Sequence, residues 1–317
     1  LAGIAMGILA IIIARKAVIE KIEDHLTDKA TDIAEVVDGR ATSFIQFVKG
    51  LTRMPFLRDG SLSLQEKAQM LEPEAERNAL IDYFGICDLE GNRYGARRAL
   101  TSVNDRIWFQ AAVKGKNYIT EPFLSKITDS MQILFAVPIY DNTNAIIGVL
   151  SLAAPAKLLS QEISDIIVGK TGECYILGLT GTAIAHKNFE IVANQQNAIE
   201  MAKKDSSLTA LAAFTQHALD TQKSEVGYYE YDDIRYIASY ATVPVTGWTV
   251  IIKAPVNEFM DTVYKLRNAI RLLGIIVFAL SIVVVYIIAY KMIHPIQAVV
   301  AALGDIAHGE GDLTVRL

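Results

Sequence analysis

The 317-residue sequence predicts an α+β fold: one long helix leads into two modules built on antiparallel sheets, and two membrane-spanning helices flank the whole. Three observations carry this expectation. An uncharged run, LLGIIVFALSIVVVYIIAY, fills residues 272–290, and a shorter apolar run, LAGIAMGILAIIIA, opens the chain at residues 1–14. Apolar residues then recur at helical spacing over residues 17–54. Between that helix and the second apolar run, the order hairpin, helix, strands occurs twice, the mark of a repeated module.

At about 1.5 Å rise per residue the 272–290 run covers roughly 28 Å, close to the roughly 30 Å hydrocarbon core of a bilayer. It reads as a spanning helix. The opening run covers only about 21 Å and is read, over residues 1–16, as part of a longer spanning helix. No small-x-small cleavage site follows Ala14, as a signal peptide would need; the sequence goes directly into RKAVIEKIEDHL, which continues in helical period. The two runs lift the hydrophobic content to 52% and the mean hydropathy to +0.29. What lies between them has globular composition and the size of one large domain or two modules of about 100 residues each. A net charge of −5 leaves no basic footprint for nucleic acid. Basic residues flank the inner side of both spans (Arg15, Lys16 and Lys21; Lys265, Arg267 and Arg271), so charge alone does not orient the chain. Cys87 and Cys174 sit in apolar strand-like stretches and read as small buried hydrophobes.

The helix over residues 17–54 ends before Pro55, which disfavours helix in the residue preceding it. LQEKAQMLEPEAERNALIDY, from residue 64 to residue 83, predicts a further helix that Pro73 breaks or restarts. YFGICDL and RYGA then form a hairpin around Glu90-Gly91-Asn92, and DRIWFQAAVKG a short helix capped by Asn104 or Asp105. YITEPFLS, MQILFAVPIYD and AIIGVLSLAAP complete a first module over 55–165. In the second, over 166–256, TGECYILGL and AIAH make the hairpin, SLTALAAFTQHALDTQ the helix, and VGYYEY, RYIASYATV and WTVIIKAP the remaining strands. Residues 257–271 predict a connecting helix into the span at 272–290, where Gly274 and Ser281 suggest a close-packed seam with the first span.

Past the span the chain reads MIHPIQAVVAALGDIAHGEGDLTVRL. With the long helix and the paired modules, this tail resembles that of bacterial methyl-accepting chemotaxis receptors of the double Cache (dCache_1) type, and the resemblance covers the whole chain. It implies that the modules are PAS-like Cache modules, the first distal to the membrane and the second proximal. Pro295 and the run Gly309-Glu310-Gly311-Asp312-Leu313 look like the start and connector of a HAMP relay at 291–317. By the same resemblance residues 17–269 lie outside the inner membrane, the distal module takes a small-molecule ligand, and the receptor is a homodimer. Its output reaches cytoplasmic kinase-control machinery through a more C-terminal region. The same sensor and relay also precede sensor histidine kinases and diguanylate cyclases, which is the alternative reading.

Arg106-Ile107-Trp108-Phe109 resembles the R-x-W-[YF] motif that lines the ligand pocket of the distal Cache module. Arginine offers a planar fork suited to a carboxylate, and Trp and Phe give flat apolar walls at small entropic cost. The departures are as informative. Amino-acid-binding members carry an Asp after the GVLG-like run, and here Ala153 follows Gly148-Val149-Leu150-Ser151-Leu152. The segment Pro122-Phe123-Leu124-Ser125-Lys126 also lacks the acid often found there. A buried ammonium without an acidic partner is costly, so amino acids and amines are disfavoured. What remains is Arg106 and Lys126, the hydroxyls of Ser125, Thr128 and Tyr94, and walls from Trp108, Phe109, Phe123 and Phe135, with Ala153 in the place of the missing acid. That set favours an anionic or acceptor-rich ligand, a small carboxylate or a purine-like heterocycle; residue types leave the two open.

No catalytic constellation is visible. G-x-S-x-G, P-loop and H-E-x-x-H patterns are lacking, and His25, His186, His217, His294 and His308 have no metal-ligand spacing. The expectation is therefore no enzyme, no cofactor and no metal. Tyr228, Tyr229, Tyr231, Tyr236 and Tyr240 at near-alternating spacing read as strand packing.

Overall fold

A computed structural model describes residues 2–96, 98–221 and 223–307; the Gly309–Leu313 connector lies outside the described residues. Helix α1 (Ala2–Leu51) runs unbroken from the opening apolar run through the predicted stalk. Pro55 then starts α2 (Pro55–Arg58), a position where its missing N–H would have had no helical partner. α3 (Leu64–Arg77) opens on a reciprocal cap: the Ser63 hydroxyl accepts from the Glu66 amide, and the Glu66 carboxylate accepts from the Ser63 amide at 2.8 Å. Contrary to the sequence reading, Pro73 neither breaks nor restarts α3, which ends at Arg77. Pro73 and Gln69, the residue whose carbonyl loses its helical donor to the proline, both lie on the exposed side of the helix.

The first sheet uses β1 (Tyr83–Cys87), β2 (Asn92–Gly95), β3 (Arg98–Ser102), β4 (Tyr118–Ile119), β5 (Phe123–Leu124), β6 (Met131–Tyr140) and β7 (Ile146–Pro155). Their order is β3-β2-β1-β7-β6-β4, with β5 also paired to β6. β3 has no counterpart in the sequence reading, and YITEPFLS yields two short strands rather than one, parted at Pro122, which has no N–H to give a ladder. Between β3 and β4 lies α4 (Ile107–Ala112); its N-cap is Arg106 and not Asn104 or Asp105, and no side chain caps it.

After α5 (Lys157–Ser164) come β8 (Glu173–Leu177), β9 (Ala183–His186), the helices α6 (Phe189–Ala193), α7 (Ala198–Ala202) and α8 (Thr209–Thr221), and then β10 (Glu225–Tyr231), β11 (Ile234–Thr242) and β12 (Thr249–Pro255). They form a five-stranded sheet in the order β10-β11-β12-β8-β9. α1 serves both modules. Leu26, Ala30, Ile33, Ala34 and Val37 sit in the core of the second sheet, and Ile45, Val48 and Leu51 in that of the first. The spacing is one continuous 3.6-residue stripe, so a single helical face seats two sheets in tandem.

Of the described residues, those within 19–259 form one compact unit, and those within 2–18 and 260–307 form another. In the latter, α9 (Asp261–Ala307) contains, within 261–297, an 18-residue window of mean hydropathy 3.0, and it is the one helix among the described residues long and apolar enough to cross a bilayer. Pro295 lies inside this helix. The suggested seam at Gly274 and Ser281 is not seen: nothing lies within 4 Å of a Cβ at Gly274, and the Ser281 hydroxyl donates to the Val277 carbonyl of its own helix. The close approach is instead at Gly7, where a Cβ would come within 2.9 Å of Ile270.

Candidate ligand-binding site

Antiparallel partners share a sheet face and successive residues alternate, so the register of the first sheet decides which candidate residues share a face. One set of rungs runs Tyr83–Ala153–Leu134, Gly85–Ser151–Ala136 and Cys87–Val149–Pro138. Arg93 pairs with Cys87 and with Thr101, which extends this face across β2 and β3. α4 packs on it through Trp108, Phe109 and Ala112. The opposite face, with Phe84, Ile86, Phe135 and Leu152, packs on α1 and α3.

On the α4 side the sheet leaves a cavity of about 1080 Å³. Of the sequence candidates, Arg106, Trp108, Phe123, Ser125 and Lys126 line it, together with Tyr83, Arg93, Thr101 and Glu121. Leu179, Thr180, Val245, Thr246 and Trp248 of the second module complete the wall. Trp108 is buried, edge-on to Phe109 with ring centres 6.1 Å apart. Arg106 is exposed, its Nε 3.6 Å from the Asp105 carboxylate. Ser125 is buried; its Oγ lies 3.3 Å from the Tyr83 hydroxyl and accepts from the Ile127 amide. Ala153 shares the sheet face of Tyr83 and Leu134 but is fully buried and does not itself line the cavity.

Ala153 and four other candidates do not line this cavity. Phe135 follows Leu134 on β6 and turns to the other face, where it stacks on Phe44 at 5.0 Å. Tyr94 pairs with Ile86 and shares that face for the same reason. Phe109 is spent in the small core under α4. Thr128 borders a second cavity, of about 360 Å³, that also touches Tyr83, Arg93 and Asp82. Arg93, Tyr83 and Glu121 are residues that the sequence reading missed. The signal for Arg93 was present: a charged residue in a strand whose hairpin partner, Cys87, lies in an apolar run.

The carboxylates on the large cavity are both engaged. Asp105 faces Arg106, and Glu121 accepts from the Leu179 amide at 2.6 Å. Burial pushes the thiols of Cys87 and Cys174 up to about 12, so both stay protonated and serve as packing groups. Among the described residues no group of three or more His, Cys, Asp or Glu is placed to hold a metal ion.

A family model described as a Cache domain, dCache_1, matches residues 13–263. The chain belongs to this family. Among curated relatives, this dCache chain is 24% identical to the methyl-accepting chemotaxis protein McpB of Bacillus subtilis over 67% of its own length and 29% of that protein's. It is 22% identical to the methyl-accepting chemotaxis protein PscA of Pseudomonas syringae pv. tomato, over 96% of this chain and 46% of that one. The dCache chain thus spans less than half the length of these relatives. Among solved structures it resembles the ligand-binding domain of the Pseudomonas fluorescens chemoreceptor CtaA in complex with L-isoleucine, at TM-score 0.60 and 14% identity, covering 78% of this chain and 98% of that domain. It also resembles the extracellular domain of the putative histidine kinase mmHK1S-Z3, at TM-score 0.56 and 12% identity, covering 76% of this chain and 97% of that one.

Proposed function

We propose that this chain is the sensory part of a membrane-anchored chemoreceptor whose distal Cache module binds an anionic or acceptor-rich small molecule. The observation that carries the reading is the cavity of about 1080 Å³ on the motif face of the first sheet, walled by Trp108 and Phe123 and bordered by Arg93, Arg106 and Lys126. Such a cavity, apolar with a few convergent polar groups, has the make-up of a small-molecule site. Residues 17–269 then lie outside the inner membrane, α9 crosses it, and the segment from 291 onward begins a HAMP relay in a homodimer that controls a cytoplasmic kinase. Signalling needs only that the ligand bind one arrangement of the sensor better than another. CtaA was solved with L-isoleucine, yet here the cavity carboxylates of Asp105 and Glu121 are engaged and Ala153 replaces the acid, which argues against a free ammonium group.

A second reading has one observation behind it. The likeness to a histidine kinase extracellular domain is as good in fold as that to many chemoreceptors, so the same sensor could drive a kinase or cyclase. Residues beyond 317 decide between them: heptads with Glu/Gln methylation pairs for the receptor, an H-box or GGDEF-like motif for the enzymes.

Thermal-shift screening of the chain in nanodiscs against carboxylates, purines and amino acids tests the ligand reading. A true ligand at a hundred times its Kd adds about 2.7 kcal/mol to the folded state. Stabilisation by carboxylates or purines, lost on Trp108→Ala, is the expected outcome. Stabilisation by amino acids, lost on Arg106→Ala, overturns the exclusion of ammonium ligands.

A further inference from the structure

We propose that Arg93, rather than the motif arginine Arg106, holds the ligand's anionic group, and that this group is a carboxylate. The inference rests on the reading of the large cavity as the ligand site and goes beyond it by naming the anchor and the ligand class. Arg93 is 6% exposed, yet its Nη2 is enclosed without any hydrogen-bond acceptor. Its Nε has only the Ser151 hydroxyl, at 3.4 Å, and its guanidinium lies 5.0 Å from the centre of the Tyr83 ring. Among the described residues no carboxylate pairs with it. A buried guanidinium left without a counter-charge and with unused donors is costly, and the planar fork is matched by a carboxylate's two oxygens.

The surroundings are shaped to keep this group in place. Gly85 lies under it: a Cβ there would stand 2.3 Å from Arg93 Nε, so any other residue evicts the guanidinium. The Ser151 hydroxyl donates to the Gly85 carbonyl at 3.0 Å, which leaves its oxygen turned to accept from Arg93. Arg93 borders both cavities, and charge selects the side. The smaller is lined by three carboxylates, Glu72, Glu76 and Asp82, whereas on the larger Arg106 and Lys126 offset the two carboxylates Asp105 and Glu121. An anion therefore approaches Arg93 from the larger cavity. A neutral heterocycle would satisfy a donor there but leave the buried charge uncompensated.

The test is calorimetric titration of the whole chain in nanodiscs with propionate, succinate, malate and benzoate, with the amides propionamide, succinamide and benzamide, and with adenine and xanthine. At least one carboxylate binds, and its amide binds at least tenfold more weakly, a comparison that needs no variant. Arg93→Gln weakens that carboxylate by about thirtyfold, the scale of a lost charge-assisted hydrogen bond. Arg93→Lys, which keeps the charge but not the fork, recovers part of this, and Gly85→Ala loses as Arg93→Gln does. Arg106→Gln weakens that carboxylate by a smaller factor than Arg93→Gln does. Carboxylate binding that is unchanged in Arg93→Gln, or equal for acid and amide, overturns the assignment while the cavity reading stands. Binding by purines alone has the same meaning. Failure of every compound to bind rejects both.

Discussion

Single side chains close this fold at points where the chain changes direction. Glu258, just before α9, accepts from the Thr171 hydroxyl and from the amides of Lys170 and Thr171. Burial alone would raise its pKa, but these donors together outweigh burial and hold the carboxyl below its ordinary 4.5. A depressed carboxylate contributes stability that is fully present above the ordinary value and is lost as pH falls through the lowered one. Glu258→Gln therefore costs about 1 kcal/mol at neutral pH, as expected for a partly screened charge-assisted bond, and flattens the acid limb of the stability curve. Denaturation at a series of pH values checks this; parallel acid limbs in wild type and variant would contradict it. The same scale shows what sequence leaves hidden. Phe135 and Tyr94 are plausible wall residues by type, and only the register of β6 and β2 places them one residue out of phase with Leu134 and Arg93. A slip of one residue exchanges the faces of a strand, so residue type without register cannot name a site.

Among the elements, α1 was the most legible because its apolar period is long and uninterrupted. Its stripe is used up by the two cores, and Val36, 54% exposed, marks the opposite side. Leu26→Ala and Val48→Ala should each cost about 2–4 kcal/mol, in the second and first module respectively, and Val36→Ala within about 0.5. Hydrogen exchange resolved by module reads this: the loss of protection centres on β11 and β12 for Leu26→Ala and on β6 and β7 for Val48→Ala. Identical exchange patterns for the two variants would contradict tandem seating. Short elements were the least legible. β3, β4 and β5 have too few residues to show a period, and β4 and β5 are each ordered by pairing with β6. α3 shows the opposite failure: Pro73 signals a break, yet the proline sits on the exposed side of a helix that runs on to Arg77.

At the scale of the molecule, the paired modules, the membrane run and the family were legible, since each leaves a pattern tens of residues long. The contact between the modules was not. Glu121 borders the large cavity on the first module and accepts from the Leu179 amide of the second, and its carboxylate is tucked where a Cβ on Gly178 would come within 2.4 Å. A ligand that shifts the β4–β5 segment thus pulls on the β8–β9 turn. Glu121→Ala should leave ligand affinity within about threefold while confining ligand-induced exchange protection to the first module. Protection of residues 178–182 that persists in the variant would show that another contact does the coupling.

The central claim is that the cavity between β1, β2, α4 and the β4–β5 segment binds the signal molecule. A crystal structure of the sensor with a carboxylate that stabilises it tests this most directly. The account predicts the carboxylate against Arg93, its body between Trp108 and Phe123, and the second module empty; a ligand seated in the second module, or against Arg106 with Arg93 untouched, would contradict it.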